Sequence, residues 1–148
     1  MILGFTGARR GLTPAQFHAL AGRLGRTRTA TELVHGDALG ADEQAHYIAL
    51  GSGLAVRILP SDREGQRAFC RGAVHVADPK PPLARNEDIV AACDCLLACP
   101  SGPEHARSGT WATVRAARRL RRPVVILWPD GTFATDRPPA APDPGATP

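Results

Sequence analysis

Hydrophobic and amphipathic segments alternate along roughly the first 130 residues of the chain. Five short, nearly continuous apolar runs predict buried strands at residues 2–6, 32–35, 54–59, 95–99 and 124–128. The segments between them carry apolar residues at helical spacing, near residues 13–25, 41–50, 86–92 and 108–120. This alternation predicts an α/β fold of the Rossmann-like type, a doubly wound and mainly parallel sheet of five or more strands with helices on both faces.

Local signals set the boundaries of the helices and of the domain. Thr13, Pro14 and Gln16 have the spacing of a capping box with proline in the first turn, so the first helix is expected to begin there. Asn86 is interpreted as the N-cap of the helix before the fourth strand. Residues 61–83 give no clear pattern beyond a short helix near 63–71. The domain is assigned to residues 1–133, and the Pro/Ala-rich residues 134–148 are predicted to be a disordered tail.

The candidate ligand site lies at the carboxyl ends of the predicted strands. Parallel α/β sheets bind ligands at this edge, and here glycines and polar residues follow the strands. The first of these turns, residues 4–11, is either a simple tight turn or a ligand loop whose amides and arginines hold an anion. The residues expected to contact a ligand in these turns are Gly7, Ala8, Arg9, Gly36, Asp37, Asn86, Pro100, Ser101 and Gly102.

The start of the last helix is the stronger phosphate-binding candidate. Ser108, Gly109, Thr110 and Trp111 open this helix directly after the loop of the fourth strand. Free N–H groups in a first turn, together with the positive end of the helix dipole, favour an anion. Gly109 leaves room for that anion because it has no side chain. The alternative interpretation is an ordinary serine N-cap without a ligand.

Three charged residues are the candidates for catalysis. Asp37 is expected to accept a hydrogen bond from a ribose hydroxyl or to act as a base. Arg85 is expected to clamp the ligand, and Glu104 to act from a loop that also carries His105. Asp42 falls in the first turn of a predicted helix, where the dipole favours an acid, so a structural role is preferred for it.

Composition and charge limit the kinds of binding partner and the cellular location that are expected for the protein. The net charge is +4, but the arginine run at residues 115–122 ends a helix and only 5% of residues are aromatic, so no nucleic-acid partner is expected. Four cysteines without metal-ligand spacing fit a reduced compartment and predict no metal site, and no cofactor is expected. No apolar run approaches the roughly 20 residues of a membrane span, and the N-terminus does not have the pattern of a signal peptide, so a cytoplasmic location is expected. His35, at a strand end, is expected to be packed and hydrogen-bonded rather than catalytic.

Taken together, the motifs resemble those of the SLOG superfamily, which joins the DprA/Smf proteins, the LOG phosphoribohydrolases and the YspA-like ligand sensors. The small YspA-like branch is the most similar. The resemblance spans about residues 2–131 and rests on GFTGAR (4–9), HGDALGAD (35–42), Pro60, RN (85–86), SGTW (108–111), PVV (123–125) and PDG (129–131). It implies a Rossmann-like domain that binds nucleotides or nucleotide-derived ligands, and a homodimer by analogy with the LOG enzymes.

The same resemblance implies three functions, in order of preference. The first is a nucleotide-ligand binding or sensing protein. The second is a nucleoside 5′-monophosphate N-glycosidase, because LOG enzymes cleave that bond with the signature PGGxGTxxE and an upstream arginine. Arg85 matches the arginine and Gly109-Thr110 the Gly-Thr, but Thr113 stands where the glutamate falls, so Asp37 or Glu104 would have to replace it. The third is a DNA-associated role of the DprA kind.

Overall fold

The computed structural model describes residues 1–136 and Gly145. Its strands are β1 (Ile2–Gly7), β2 (Glu32–His35), β3 (Ala55–Ile58), β4 (His75–Val76), β5 (Cys95–Cys99), β6 (Val124–Leu127) and β7 (Phe133–Asp136). Its helices are α1 (Pro14–Arg26), α2 (Ala41–Gly51), α3 (Pro82–Ala92) and α4 (Gly109–Arg119), with a single 3-10 turn at Glu64–Gln66. The five predicted strands are β1, β2, β3, β5 and β6, and the four predicted helices are present.

Within the described residues, the strands form one seven-stranded sheet in the order β4-β3-β2-β1-β5-β6-β7. All neighbouring pairs are parallel except β6 and β7, which are antiparallel. From β1 the chain builds the sheet first toward β4 and then, beginning with β5, in the opposite direction. The predicted doubly wound, mainly parallel sheet is therefore confirmed, and its topological switch point lies between β1 and β5.

Helices cover both faces of the sheet. Apolar residues of α1 and α2 pack on one face, against strand side chains that include Phe5 and Leu33. Residues of α3 and α4 pack on the other face, against side chains that include Leu96 and Ile126. Successive residues of a strand point to opposite faces, so a strand covered on both sides must be apolar throughout. This burial explains why the strand runs in the sequence lack a polar alternation.

The start of α1 is tied to the ends of two strands. The predicted capping box is present: Thr13 Oγ1 accepts a hydrogen bond from Gln16 N at 3.0 Å, and Gln16 Oε1 accepts one from Thr13 N at 3.0 Å. The buried Gln16 amide also donates to the carbonyl oxygens of Pro100 and Leu127, both at 2.9 Å. A local capping motif thus also fixes the carboxyl ends of β5 and β6.

The predicted first residue of the helix before the fourth predicted strand was wrong. Helix α3 begins at Pro82, and Asn86 is a buried residue inside it rather than its N-cap. Proline is favoured in the first turn of a helix because its ring fixes φ and its missing N–H is not needed there. Arg85 consequently lies one turn inside the helix, where its side chain has a fixed direction.

The edge strands were not predicted from the sequence. β4 has two residues, both exposed, and β7 is exposed over most of its length, so neither carries a buried apolar run. β7 includes residues 134–136, the first three of the segment assigned to the tail. The rest of that segment, Gly145 apart, lies outside the described residues, and its disorder stays a prediction. In the part of the chain that the structure describes, no helix is long and apolar enough to cross a membrane.

Candidate functional site

A cavity of about 450 Å³ opens at the carboxyl edge of the sheet, at the switch point between β1 and β5. It lies where the turn after β1, the turn after β2, the first half of α3 and the start of α4 converge. Of the residues predicted to bind a ligand or to act in catalysis, the following line it: Gly7, Ala8, Arg9, Gly36, Arg85, Asn86, Ser101, Ser108, Gly109 and Thr110. The structure thus brings both Gly-rich turns to one cavity.

The cavity is rich in arginine. Arg9, Arg10, Arg67, Arg85 and Arg107 all line it. Among the described residues, only Arg67 of these five is ion-paired with a carboxylate. The other four guanidinium groups have no carboxylate that neutralises their charge, which is typical of a site for phosphate or another anion.

Arg85 and Asp42 are anchored on the same residue, Gly36. Arg85 Nη1 donates to the Gly36 carbonyl at 2.7 Å, and Asp42 Oδ2 accepts from the Gly36 N–H at 3.2 Å. A β-carbon on Gly36 would collide with the Arg85 guanidinium, so only glycine admits this approach. Arg85 Nε also donates to the Asn86 side chain at 2.9 Å, and burial lowers the pKa of Arg85. These contacts fix Arg85 in the wall of the cavity.

Asp42 is the one carboxylate among the described residues that line the cavity. Its Oδ2 atom accepts from the N–H groups of Gly36 and Ala38, so Asp42 supports the turn after β2. Its Oδ1 atom accepts no hydrogen bond in the described part of the chain. Burial raises the pKa of Asp42 to about 6, although Arg85 and the two amides act in the opposite direction.

The first turn of α4 faces the cavity with two free amides. Ser108 Oγ accepts from Trp111 N at 3.2 Å, as expected for an N-cap. Within residues 1–136, the N–H groups of Gly109 and Thr110 have no hydrogen-bond acceptor. These two amides, at the positive end of the helix dipole, are suited to an anion.

Trp111, Pro100 and Gly102, all predicted as ligand contacts, do not line the cavity. The Trp111 ring is buried in the core, and its Nε1–H donates to the carbonyl of Gly102 at 3.2 Å. The Pro100 carbonyl accepts the hydrogen bond from Gln16. These three residues hold the loop after β5 in position and leave the cavity to Ser101 and Ser108.

Asp37 is also absent from the residues lining the cavity, contrary to its predicted role. Its carboxylate is fully buried, and Oδ2 accepts from Arg67 Nε and Nη2, both at 3.0 Å. Its Oδ1 atom accepts from the Cys70 N–H at 3.0 Å. Asp37 therefore ties residues 67–70 to the end of β2 and orients Arg67, which does line the cavity.

Glu104, the other predicted acid, points away from the cavity. Its carboxylate pairs with Arg118 at 2.8 Å and with Arg115 at 3.3 Å on the surface of α4. The hydrogen bond from Arg118 is the main reason that the pKa of Glu104 lies below its ordinary value. At the position of the family's glutamate, Thr113 is buried, and its Oγ1 donates to the Gly109 carbonyl at 3.1 Å. None of the three predicted acid positions therefore brings a carboxylate to the cavity.

His35 is packed and hydrogen-bonded, as the sequence analysis expected. Its Nδ1 accepts from the Asp37 N–H at 2.9 Å, so its proton lies on Nε2, which is 2.9 Å from His46 Nδ1. His46 then carries its proton on Nε2 and donates to the Arg71 carbonyl at 2.7 Å. In this series of hydrogen bonds, His35 accepts through Nδ1 and therefore is neutral. Burial, together with the nearby His46, lowers the pKa of His35 to about 3.

Several residues lining the cavity were not predicted. Gln66 and Arg67 come from the stretch that gave no clear pattern, and a backbone bridge between Ala38 and Arg67 brings it to the site. His105 and Arg107 come from the loop before α4. The only signal for Arg107 was its place just before the helix start that the sequence predicts to bind phosphate. No local pattern marks Gln66 or Arg67.

Comparisons with known proteins agree with this architecture. No protein-family model matches the chain, and no curated protein matches it by sequence. Among solved structures, the molybdenum cofactor binding protein of the phototrophic bacterium Rippkaea orientalis has a TM-score of 0.66 and 22% identity, covering 86% of this chain and 76% of its own. The structural-genomics target TM1055 has a TM-score of 0.59 and 17% identity, covering 83% of this chain and 71% of its own.

The third structure is DNA processing protein A from Helicobacter pylori, which is described as binding single-stranded DNA. It has a TM-score of 0.63 and 21% identity, covering 85% of this chain and 64% of its own. At these identities the likeness concerns the fold, and it agrees with the fold that the sequence motifs imply. The chain has the same Rossmann-like α/β fold as these three structures.

Proposed function

We propose that the chain binds a nucleotide or a nucleotide-derived phosphorylated ligand in the cavity at the carboxyl edge of the sheet. The observation that carries this proposal is the set of four cavity arginines without a carboxylate partner: Arg9, Arg10, Arg85 and Arg107. Clustered unpaired cations in a cavity repel one another, and an anionic ligand removes that repulsion. The free amides of Gly109 and Thr110 add two donors at a helix start.

A second candidate function is hydrolysis of the N-glycosidic bond of a nucleoside 5′-monophosphate. The observation in its favour is Asp42, a carboxylate that lines the cavity and whose pKa is raised to about 6. A carboxyl group with such a pKa can give or take a proton near neutral pH. Asp37 and Glu104 do not line the cavity and are each paired with an arginine, so this activity would depend on Asp42 instead.

Binding is tested by thermal unfolding of the whole chain with AMP, GMP, CMP, UMP and inorganic phosphate. A probe at 100 times its Kd adds about 2.7 kcal/mol to the free energy of unfolding, which raises the melting temperature by several degrees. We expect Arg9→Gln, which removes an exposed guanidinium from the cavity, to weaken binding about tenfold. Arg28→Gln removes an exposed arginine outside the cavity and serves as the matched control. If no phosphorylated probe raises the melting temperature, the proposal is wrong.

The two candidates are separated by incubating the protein with the same nucleotides and measuring free base by chromatography. Binding without base release supports a binding or sensing protein, and base release that Asp42→Asn abolishes supports the hydrolase. The DNA-associated role is supported by the resemblance of the motifs and by the fold shared with the Helicobacter pylori protein, and its test is a gel shift with single-stranded DNA at physiological salt. The cytoplasmic location and the homodimer stay predictions, and sedimentation of the purified chain tests the latter.

A further inference from the structure

The wall of the cavity has an unusual composition for a nucleotide site. Ligand pockets are ordinarily lined by hydrophobic and aromatic side chains with a few polar groups. Here, among the described lining residues, there is no Val, Leu, Ile, Met, Phe, Tyr or Trp. The one aromatic ring is that of His105, in an exposed loop. A nucleobase gains much of its affinity by stacking on such rings or apolar walls, and this cavity has few of them to offer.

The polar groups of the cavity divide into two kinds. Cationic and amide donors, among them Arg9, Arg107 and the N–H of Gly109, suit a phosphate. The opposite kind is Asp42, an almost completely buried carboxylate whose Oδ1 has no hydrogen bond in the described part of the chain. A ligand that satisfies both kinds carries a phosphate and also a hydrogen-bond donor for Oδ1.

We infer that the cavity recognises the phosphorylated sugar of its ligand rather than the base, and that Asp42 accepts a hydrogen bond from a sugar hydroxyl. This inference rests on the proposed function, and it names the ligand class as pentose 5-phosphates and their derivatives. A ring hydroxyl is a neutral donor, so it satisfies Oδ1 without needing an apolar wall. The Gly36 and Ala38 amides on Oδ2 hold the carboxylate so that Oδ1 keeps its orientation.

The raised pKa of Asp42 is consistent with this role, because burial disfavours the ionised carboxylate more than Arg85 and the two amides favour it. A hydroxyl donating to Oδ1 stabilises the ionised form. The affinity for a sugar phosphate is therefore expected to fall as the pH is lowered through about 6, where Asp42 becomes protonated in the free protein. Phosphate itself also titrates in this range, so inorganic phosphate is measured alongside as a reference.

The test is calorimetric titration of the full chain with ribose 5-phosphate, AMP, GMP, UMP, adenosine, 2′,3′-dideoxyadenosine 5′-monophosphate and inorganic phosphate. We expect ribose 5-phosphate and the three ribonucleotides to bind within about threefold of one another, and adenosine not to bind. A hydrogen bond to a charged group is worth tenfold or more in affinity, so the dideoxy nucleotide should bind at least about tenfold more weakly than AMP.

The Asp42→Asn variant tests whether the negative charge and the free Oδ1 atom of Asp42 contribute to binding. Its side-chain oxygen can still accept from the Gly36 and Ala38 amides, while its NH₂ group replaces Oδ1. We expect AMP and its dideoxy analogue to bind this variant within about threefold, and inorganic phosphate to bind at least as tightly as before, since one negative charge has been removed. Glu43→Gln, in the same first turn of α2 but not in the cavity wall, is the matched control and should bind like the unmodified chain.

The outcomes separate the inference from the proposed function. If no phosphorylated probe binds, the proposed function itself fails. If AMP binds more than tenfold tighter than ribose 5-phosphate, the base is recognised and the inference is overturned while the proposed function stands. Equal weakening of inorganic phosphate and AMP in a folded Asp42→Asn variant would also overturn it, because Asp42 would then only support the structure.

Discussion

The buried pair His35 and Asp42 predicts two opposite effects of acid on stability. The pKa of His35 is lowered to about 3, so below pH 6.5 the unfolded chain binds a proton that the folded chain excludes. The contribution of His35 to the free energy of unfolding is complete above the ordinary histidine pKa, and it is lost progressively as the pH falls from there toward about 3. The pKa of Asp42 is raised to about 6, so between about pH 6 and its ordinary value the folded chain holds a proton that the unfolded chain releases. Lowering the pH therefore stabilises the fold through Asp42.

The magnitudes follow from these values at pH 5. This pH is about 1.5 units below the ordinary pKa of histidine, and each unit corresponds to about 1.4 kcal/mol, so His35 lowers the free energy of unfolding by about 2 kcal/mol. The same pH is about one unit below the pKa of Asp42, which adds about 1 kcal/mol. The gain through Asp42 offsets part of the loss through His35, and the unmodified chain should lose only about 1 kcal/mol through these two residues between pH 7 and pH 5.

Single variants separate the two contributions. Between pH 7 and pH 5, Asp42→Asn should lose about 2 kcal/mol of unfolding free energy through His35. His35→Asn keeps an acceptor for the Asp37 N–H and should gain about 1 kcal/mol through Asp42 over the same interval. The measurement is urea unfolding followed by circular dichroism at pH 7, 6 and 5, with exposed His18→Asn as the control. Parallel pH profiles for the two variants would show that the reasoning is wrong.

Three further predictions concern contacts around the cavity. Gly36→Ala places a methyl group against the Arg85 guanidinium and should weaken AMP binding at least about tenfold by calorimetry, whereas unchanged affinity would show that Arg85 does not contact the ligand. Asp37→Asn leaves Arg67 without its buried partner and should cost about 3 kcal/mol in urea unfolding, and a loss below about 1 kcal/mol would contradict the importance of this ion pair. Gln16→Leu leaves two buried carbonyl groups without donors and should cost about 2 kcal/mol, and a neutral effect would mean that water replaces the amide.

Much of the fold could be predicted because its signals are local. The capping box of Thr13 and Gln16 and the N-cap of Ser108 depend on residues three positions apart, and both are present. The five central strands can be predicted from their apolar runs, because both faces of each strand are covered by helices. The edge strands β4 and β7 lack that signal because they are exposed. Asn86 has the side chain of an N-cap, but α3 begins four residues earlier, at Pro82, which is also favoured at a helix start.

The sequence by itself determined the Rossmann-like order of strands and helices, the edge of the sheet at which the cavity lies, and the two turns that line it. Only the tertiary structure decided which charged residues are free to act there. Asp37 is neutralised by Arg67, thirty residues away, and Glu104 by Arg118, whereas Asp42 and Arg85 meet in the cavity through Gly36. The strength of an ion pair depends on distance and burial in the folded chain, and neither quantity can be read from residues considered along the sequence.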